Sequence, residues 1–129
     1  MSASQRSRLA IVMISACAFG GCAKSKEAAQ VELIECAGFQ SAIPQSLLEP
    51  IYKELRSRGV EPVAIQPIPT LASAYKSTYT VKFGRGAEVN ARWDKGVTAG
   101  KDLVEKRDAA GIAKYLKNCV DMLHAALGP

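Results

Sequence analysis

No stretch of this sequence is apolar for long enough to cross a bilayer. The uncharged run from Leu9 to Phe19 comes nearest, but a membrane-spanning helix needs roughly 20 apolar residues. The chain also lacks internal repeats and low-complexity segments. The sequence is therefore neither that of a transmembrane protein nor that of a repeat protein.

Catalytic and metal-binding patterns are equally scarce. His124 is the single histidine, and even with Asp121 it falls short of the three or four ligands that a zinc site requires. No G-x-S-x-G motif is present. Gly84-Arg85-Gly86 lacks the third glycine of a dinucleotide-binding loop and reads as a turn. We therefore predict no catalytic residue, no metal and no cofactor, and a surface position for His124.

The N-terminus has the parts of an export signal. Arg6 and Arg8 precede the apolar run, and small residues follow it. This order is typical of a cleaved signal peptide. The exit, Phe19-Gly20-Gly21-Cys22, resembles the lipobox of bacterial lipoproteins. That resemblance implies that residues 1–21 are removed and that Cys22 carries several acyl chains, palmitate among them.

Two alternatives to lipidation at Cys22 remain open. Ile14-Ser15-Ala16-Cys17 fits the four-residue consensus more closely, yet cleavage before Cys17 would leave a core of only Leu9 to Ala16. Ordinary signal cleavage after Ala18 would instead give a secreted protein without a lipid. We favour Cys22 because cleavage there leaves an apolar core of the usual length, roughly 7–15 residues.

The same resemblance implies a location. Residues 22–26 become a lipidated tether that attaches the protein to a membrane. Ala23 and Lys24 lack the aspartate associated with inner-membrane retention, which implies the outer membrane, facing the periplasm. An exported protein does not meet cytosolic nucleic acid, so nucleic-acid binding is not predicted despite the sequence pI of about 9.1.

Cysteine counting then predicts one disulfide. If Cys22 is lipidated and Cys17 leaves with the signal, Cys36 and Cys119 remain. Exported proteins occupy an oxidising compartment, where an even number of cysteines indicates a bridge. Two buried free thiols are the alternative if the signal is not genuine.

The strongest pattern for local structure is a β-hairpin over residues 78–93. Apolar and polar residues alternate on both sides of the Gly84-Arg85-Gly86 turn, which is typical of two paired strands. Residues 94–100 are predicted to be a loop, and residues 101–107 remain open between a strand and a short helix. The polar face of the hairpin carries Thr80, Lys82, Asn90 and Arg92.

Helices are predicted on either side of this hairpin. Residues 27–37 favour a helix, with a strand as the alternative, and residues 46–58 begin at a capping box formed by Ser46 and Glu49. The proline-rich segment 61–69 holds at most an edge strand. Asp108 can cap a final helix over residues 109–127. Its apolar residues recur every three or four positions: Ile112, Leu116, Cys119, Val120, Leu123 and Leu127.

These elements predict one α+β domain over residues 27–129, with a small antiparallel sheet around the 78–93 hairpin packed on the C-terminal helix and one disulfide. Loss of the signal leaves 15 basic and 12 acidic residues. We predict that Lys82, Arg85 and Arg92 converge on a basic binding face for a protein or an anionic envelope component.

Three functions are compatible with this description. The favoured one is a non-enzymatic accessory or binding lipoprotein of the periplasm. The second is a stoichiometric inhibitor or immunity protein that blocks a periplasmic enzyme. The third is a hydrolase whose site the sequence does not disclose.

Overall fold

The fold is all-helical rather than α+β. The computed structural model describes residues 25–128, of which 83% are helical and none belongs to a strand. The predicted signal peptide and Cys22 lie outside these residues. The α-helices are α1 (Lys26–Ser41), α2 (Leu48–Ser57), α3 (Ile68–Val81), α4 (Gly86–Glu105) and α5 (Ala109–Leu127). Short 3₁₀ turns span Gln45–Leu47 and Pro62–Ile65.

Helix α1 is the centre of the bundle and packs against α3, α4 and α5. The Ser25 side chain caps its first turn by accepting from the amide of Ala28 at 3.1 Å. Its buried residues point in every direction rather than along one stripe: Ala29, Val31, Leu33, Ile34, Cys36, Ala37, Gly38 and Phe39. A helix with buried residues on several sides lies in the core of its domain. The helix predicted over residues 27–37 is therefore confirmed.

Helix α5 packs antiparallel to α1 through large apolar side chains. Asp108 accepts a hydrogen bond from the amide of Gly111 at 2.9 Å, so the predicted cap is present. Ile112, Leu116 and Leu123 are buried, as the 3–4 spacing indicated, whereas Leu127 in the last turn is exposed. Cys119 lies on the same face and forms a disulfide with Cys36, with the Cα atoms 5.9 Å apart. The helix over residues 109–127 and the disulfide are both confirmed.

Helix α4 runs parallel to α1 and approaches it through glycine. A Cβ atom on Gly96 would lie 1.9 Å from the backbone oxygen of Glu35. A Cβ on Gly100 would lie 2.8 Å from the backbone oxygen of Phe39, and one on Gly38 would lie 2.3 Å from that of Trp93. Glycine is needed at these positions because only a missing side chain lets two backbones come so close.

The predicted hairpin over residues 78–93 is wrong. It consists of the end of α3, a short turn in which Gly84 has a φ of +64°, and the start of α4. Two of its supposed inward residues, Val81 and Phe83, are exposed. The buried face of α4 is instead formed by Val89, Gly96 and Gly100. These positions follow helical spacing, but glycine contributes no apolar signal, so the alternation of the other residues dominated the pattern.

The predictions for the neighbouring segments are also corrected. Residues 94–100 are the middle of α4 and not a loop, and 101–105 are its last turn, so the alternative of a helix holds there. Val63 to Ile65 form a 3₁₀ turn and not an edge strand. Prolines suit the first turn of a helix, where the missing amide proton has no partner to lose. Pro62 and Pro69 occupy such positions.

The helix predicted over residues 46–58 is confirmed with a later start. Regular α-helix begins at Leu48, which places Pro50 in the first turn. The predicted capping box does not form, because neither the 3₁₀ turn nor α2 has a side-chain cap. Within residues 25–128, no helix is both long enough and apolar enough to cross a membrane.

Candidate functional site

A polar groove of about 400 Å³ lies between the first halves of α1 and α4. Further along, the two parallel helices come into backbone contact at Gly38, Gly96 and Gly100. The charged residues that line it are Glu27, Glu32, Arg85, Glu88 and Arg92. The groove is therefore an ionic site with both signs of charge.

Arg85 forms ion pairs with two glutamates at the outer end of the groove. It is the N-cap residue of α4, and its guanidinium binds both oxygens of Glu88, each at 2.7 Å. The same guanidinium also forms an ion pair with Glu27 of α1. The hydrogen bond from Arg85 lowers the pKa of Glu88, and the bond to Glu88 raises the pKa of Arg85. Each shift stabilises the charged form of the Arg85–Glu88 pair.

Arg92 holds the inner end. Its Nε lies 3.1 Å from Oε1 of Glu35, and its Nη2 lies 3.8 Å from Glu32. The Arg92 and Glu35 atoms are enclosed and close together, but the N–H does not point along the line between them. Their contact is therefore a charge pair rather than a hydrogen bond. Lys95 adds a second cation 3.8 Å from the same oxygen of Glu35.

Tyr115 of α5 completes this inner cluster. Its hydroxyl donates to Oε2 of Glu35 at 3.1 Å, and its ring stacks on Phe39 with the centroids 3.7 Å apart. Burial raises the pKa of Tyr115, and the charge of Glu35 raises it further. A cavity of about 160 Å³ lies beside the cluster, lined in part by both cysteines of the disulfide. The charged cluster therefore connects α1, α4 and α5 next to the covalent bridge.

The structure brings together two of the three residues predicted to form a basic face. Arg85 and Arg92 both line the groove, whereas Lys82 is exposed in the α3–α4 turn and does not. The two arginines are also paired with carboxylates. The predicted hairpin face is therefore wrong as a geometry, since the groove is mixed in charge.

Sequence reasoning missed the acidic half of the groove. Arg85, Glu88, Arg92 and Lys95 are three or four residues apart, so they form one stripe when residues 86–105 are helical. Glu32 and Glu35 are likewise three residues apart on α1. The charge stripe was hidden because the hairpin prediction placed Glu88 and Arg92 on a strand.

Nothing in this arrangement amounts to a metal site or a nucleophile. No cluster of three histidine, cysteine, aspartate or glutamate residues occurs between residues 25 and 128. His124 is exposed on α5, as predicted. No free cysteine occurs in that range either. The interactions that the structure shows among the groove residues are ion pairs and hydrogen bonds.

Comparison with known proteins adds no family to this description. No protein-family model, no curated protein sequence and no solved structure matches the chain significantly. The functional interpretation therefore depends on the residues and their geometry.

Proposed function

We propose that this protein is a lipid-anchored envelope lipoprotein whose helical domain binds a protein partner in the groove between α1 and α4, without catalysing a reaction. The domain is held to the outer membrane by Cys22 and faces the periplasm. This interpretation joins the N-terminal signal to the geometry of the groove.

The main support for a lipid anchor at Cys22 comes from assigning a role to each of the four cysteines. Cys36 and Cys119 are bonded to each other. Cys17 lies within the predicted signal, so Cys22 is the cysteine that this assignment leaves for lipidation, and it is the one that follows the lipobox-like residues. A disulfide between two buried residues also supports export, because such bridges persist in oxidising compartments.

The choice of a protein partner follows from the charges of the groove. A polyanion would have to displace Glu27 and Glu88 from Arg85, because those carboxylates already occupy the guanidinium. A polypeptide carries both signs of charge and can exchange pairs without leaving a charge unpaired. The mixed groove therefore fits a protein surface better than an anionic polymer.

The anchor is tested by metabolic labelling with a fatty-acid analogue in a Gram-negative host. We expect the wild-type protein and the Cys17→Ser variant to be labelled, and Cys22→Ser to lose the label and leave the detergent phase. Cys17→Ser is the matched control because it removes a neighbouring cysteine of the same segment. Undiminished labelling of Cys22→Ser would refute the anchor. An Ala23→Asp variant should move the labelled protein to the inner membrane.

The groove is tested by site-specific photocrosslinking in the same host. A photoreactive residue at Ala28, which is exposed and lines the groove, should capture a defined protein. The same residue at Lys114, exposed on α5, is the control and should not. The captured protein is then purified, and its affinity measured. Glu88→Lys should weaken that affinity while Lys117→Glu should not; equal affinities would refute the groove as the binding site.

A further inference from the structure

Three exposed apolar side chains lie at one end of the bundle. Val81 and Phe83, in and beside the α3–α4 turn, are 82% and 53% exposed, and Leu127 at the end of α5 is 52% exposed. Among residues 25–128, the other large hydrophobic side chain that is exposed is Val63. Val63 belongs to the 3₁₀ turn whose Ile65 carbonyl accepts a hydrogen bond from Gln40, near the other end of α1. Exposed apolar side chains in one place mark a contact surface more often than isolated ones do.

Direct contacts hold this end in place around the start of α1. The side chain of Gln30 accepts a hydrogen bond from the hydroxyl of Tyr79 at 2.8 Å. Its amide nitrogen donates to the backbone oxygen of Ala126 at 3.4 Å. One residue of α1 thus joins the end of α3 to the end of α5. Arg85 adds its ion pair with Glu27. The apolar side chains are therefore carried by anchored backbone.

We propose that this end, defined by Lys26, Val81, Lys82, Phe83 and Leu127 and named the anchor-proximal end, rests on the lipid bilayer. The inference depends on the lipidation of Cys22 proposed above. Ser25, where the described domain begins, follows Cys22 by three residues. Three residues span at most about 11 Å even when fully extended. A lipid on Cys22 therefore keeps the start of α1, and the end that surrounds it, beside the membrane.

The composition of the anchor-proximal end suits an anionic membrane surface. Lys26 and Lys82 are exposed, and neither has an ion-pair partner among the described residues. The ammonium of Lys82 lies 5.5 Å from the ring centroid of Phe83, so one side chain can reach headgroups while the other enters the interface. Lysines beside exposed apolar residues are typical of interfacial binding surfaces. The nearby acids Glu27 and Glu88 are both paired with Arg85, which offsets one of their two negative charges.

The test uses the lipidated wild-type protein in vesicles of phosphatidylethanolamine and phosphatidylglycerol that contain a photoactivatable phospholipid. After irradiation, we expect lipid adducts on residues 81–83 and on Leu127, and several-fold fewer on Val63, the internal control. A variant with Val81→Ser and Phe83→Ser should lose the adducts of the turn several-fold, while Val63→Ser should leave them unchanged. Helical circular dichroism confirms that each variant is folded.

The outcomes separate this inference from the proposed function. If the wild-type protein does not float with the vesicles and carries no fatty acid, the lipoprotein proposal fails. If it floats but the turn is labelled no more than Val63, the bilayer contact alone is refuted. If the lipidated protein is a dimer in detergent and the double serine variant makes it a monomer, the anchor-proximal end is an interface between two copies and the bilayer proposal is overturned.

Discussion

Two of the three interfaces of helix α1 bring the helices together in opposite ways. Against α5 it stacks the Phe39 ring on the Tyr115 ring, and the contact is closed by the disulfide. Against α4 it packs backbone on backbone at glycines, with the charged groove where the helices diverge. The α1–α5 interface is thus formed by large side chains, and the α1–α4 interface by backbone contact at glycines, which have no side chain.

This difference explains why the proposed binding groove lies between α1 and α4 and not between α1 and α5. An interface filled with apolar side chains excludes water and leaves few polar groups to present. A glycine contact has no side chains to fill it, and the ion-paired residues beside it on the same helices, Glu35 and Arg92 among them, stay partly accessible. The α1–α5 interface therefore stabilises the bundle, and the α1–α4 interface carries its polar chemistry.

The largest expected effect comes from breaking the α1–α5 interface at the bridge. The disulfide closes a loop with a sequence separation of 83, worth roughly 4.5 kcal/mol in the chain-entropy model before native strain is counted. Replacing both Cys36 and Cys119 with alanine should lower the free energy of unfolding by about 2–5 kcal/mol. Urea denaturation measures it, with reduced wild-type protein for comparison. An unchanged urea midpoint would contradict a structural role for the bridge.

The next effect comes from filling the α1–α4 contact. In Gly96→Ala the new methyl group meets the backbone oxygen of Glu35, which cannot rotate away. We expect a loss of about 1–3 kcal/mol from overpacking, despite the roughly 1 kcal/mol by which alanine favours a helix. Gly100→Ala should cost less, since its nearest atom would be 2.8 Å rather than 1.9 Å away.

Thr98→Ala is the matched control for the glycine variants. Thr98 is exposed on the same helix between the two glycines. Alanine is a better helix former than threonine, so this change should be neutral or slightly stabilising. Thermal unfolding of the three variants ranks them. If Gly96→Ala is as stable as Thr98→Ala, the helices are not in backbone contact.

The same contrast explains what could be predicted from the sequence. The buried face of α5 could be predicted because Ile112, Leu116 and Leu123 repeat at helical spacing. The disulfide could be predicted from the number of cysteines. The buried face of α4 could not be predicted, because glycines such as Gly96 and Gly100 indicate a turn unless the helix that packs against them is known. The pairing of Arg92 with Glu35 depends on that unseen contact, so half of the groove was missed with it.

A smaller effect is expected at high pH from Tyr115, which joins the two interfaces. Its pKa is raised in the folded protein by burial and by Glu35. Above the unfolded-state value of about 10, the unfolded chain loses the phenol proton before the folded chain does. The contribution of Tyr115 to the free energy of unfolding should therefore be fully present below that pH. It should be lost as the pH rises through the pKa that Tyr115 has in the folded protein.

Tyr115→Phe should flatten this alkaline decline, and Tyr52→Phe serves as the control for the loss of one hydroxyl. At neutral pH the hydrogen bond to Glu35 is also lost, at a cost of up to about 1.5 kcal/mol because the pair is partly exposed. Urea denaturation between neutral and alkaline pH measures both effects. A decline equally steep in Tyr115→Phe and wild type would show that other groups control it.

The smallest expected effect separates the rim of the α1–α4 interface from its glycine contact. Arg85 pairs with Glu27 and Glu88 at the exposed end of the groove. Exposed pairs are screened by salt, whereas a steric contact between backbones is not. Arg85→Gln should therefore lower the thermal midpoint slightly in dilute buffer and not at all in 1 M salt, where the Debye length is about 3 Å. Gly96→Ala should keep its full effect in both buffers. If the effect of Arg85→Gln persists in high salt, the guanidinium supports the turn by packing on the Tyr79 ring, 5.1 Å away, rather than by its charge.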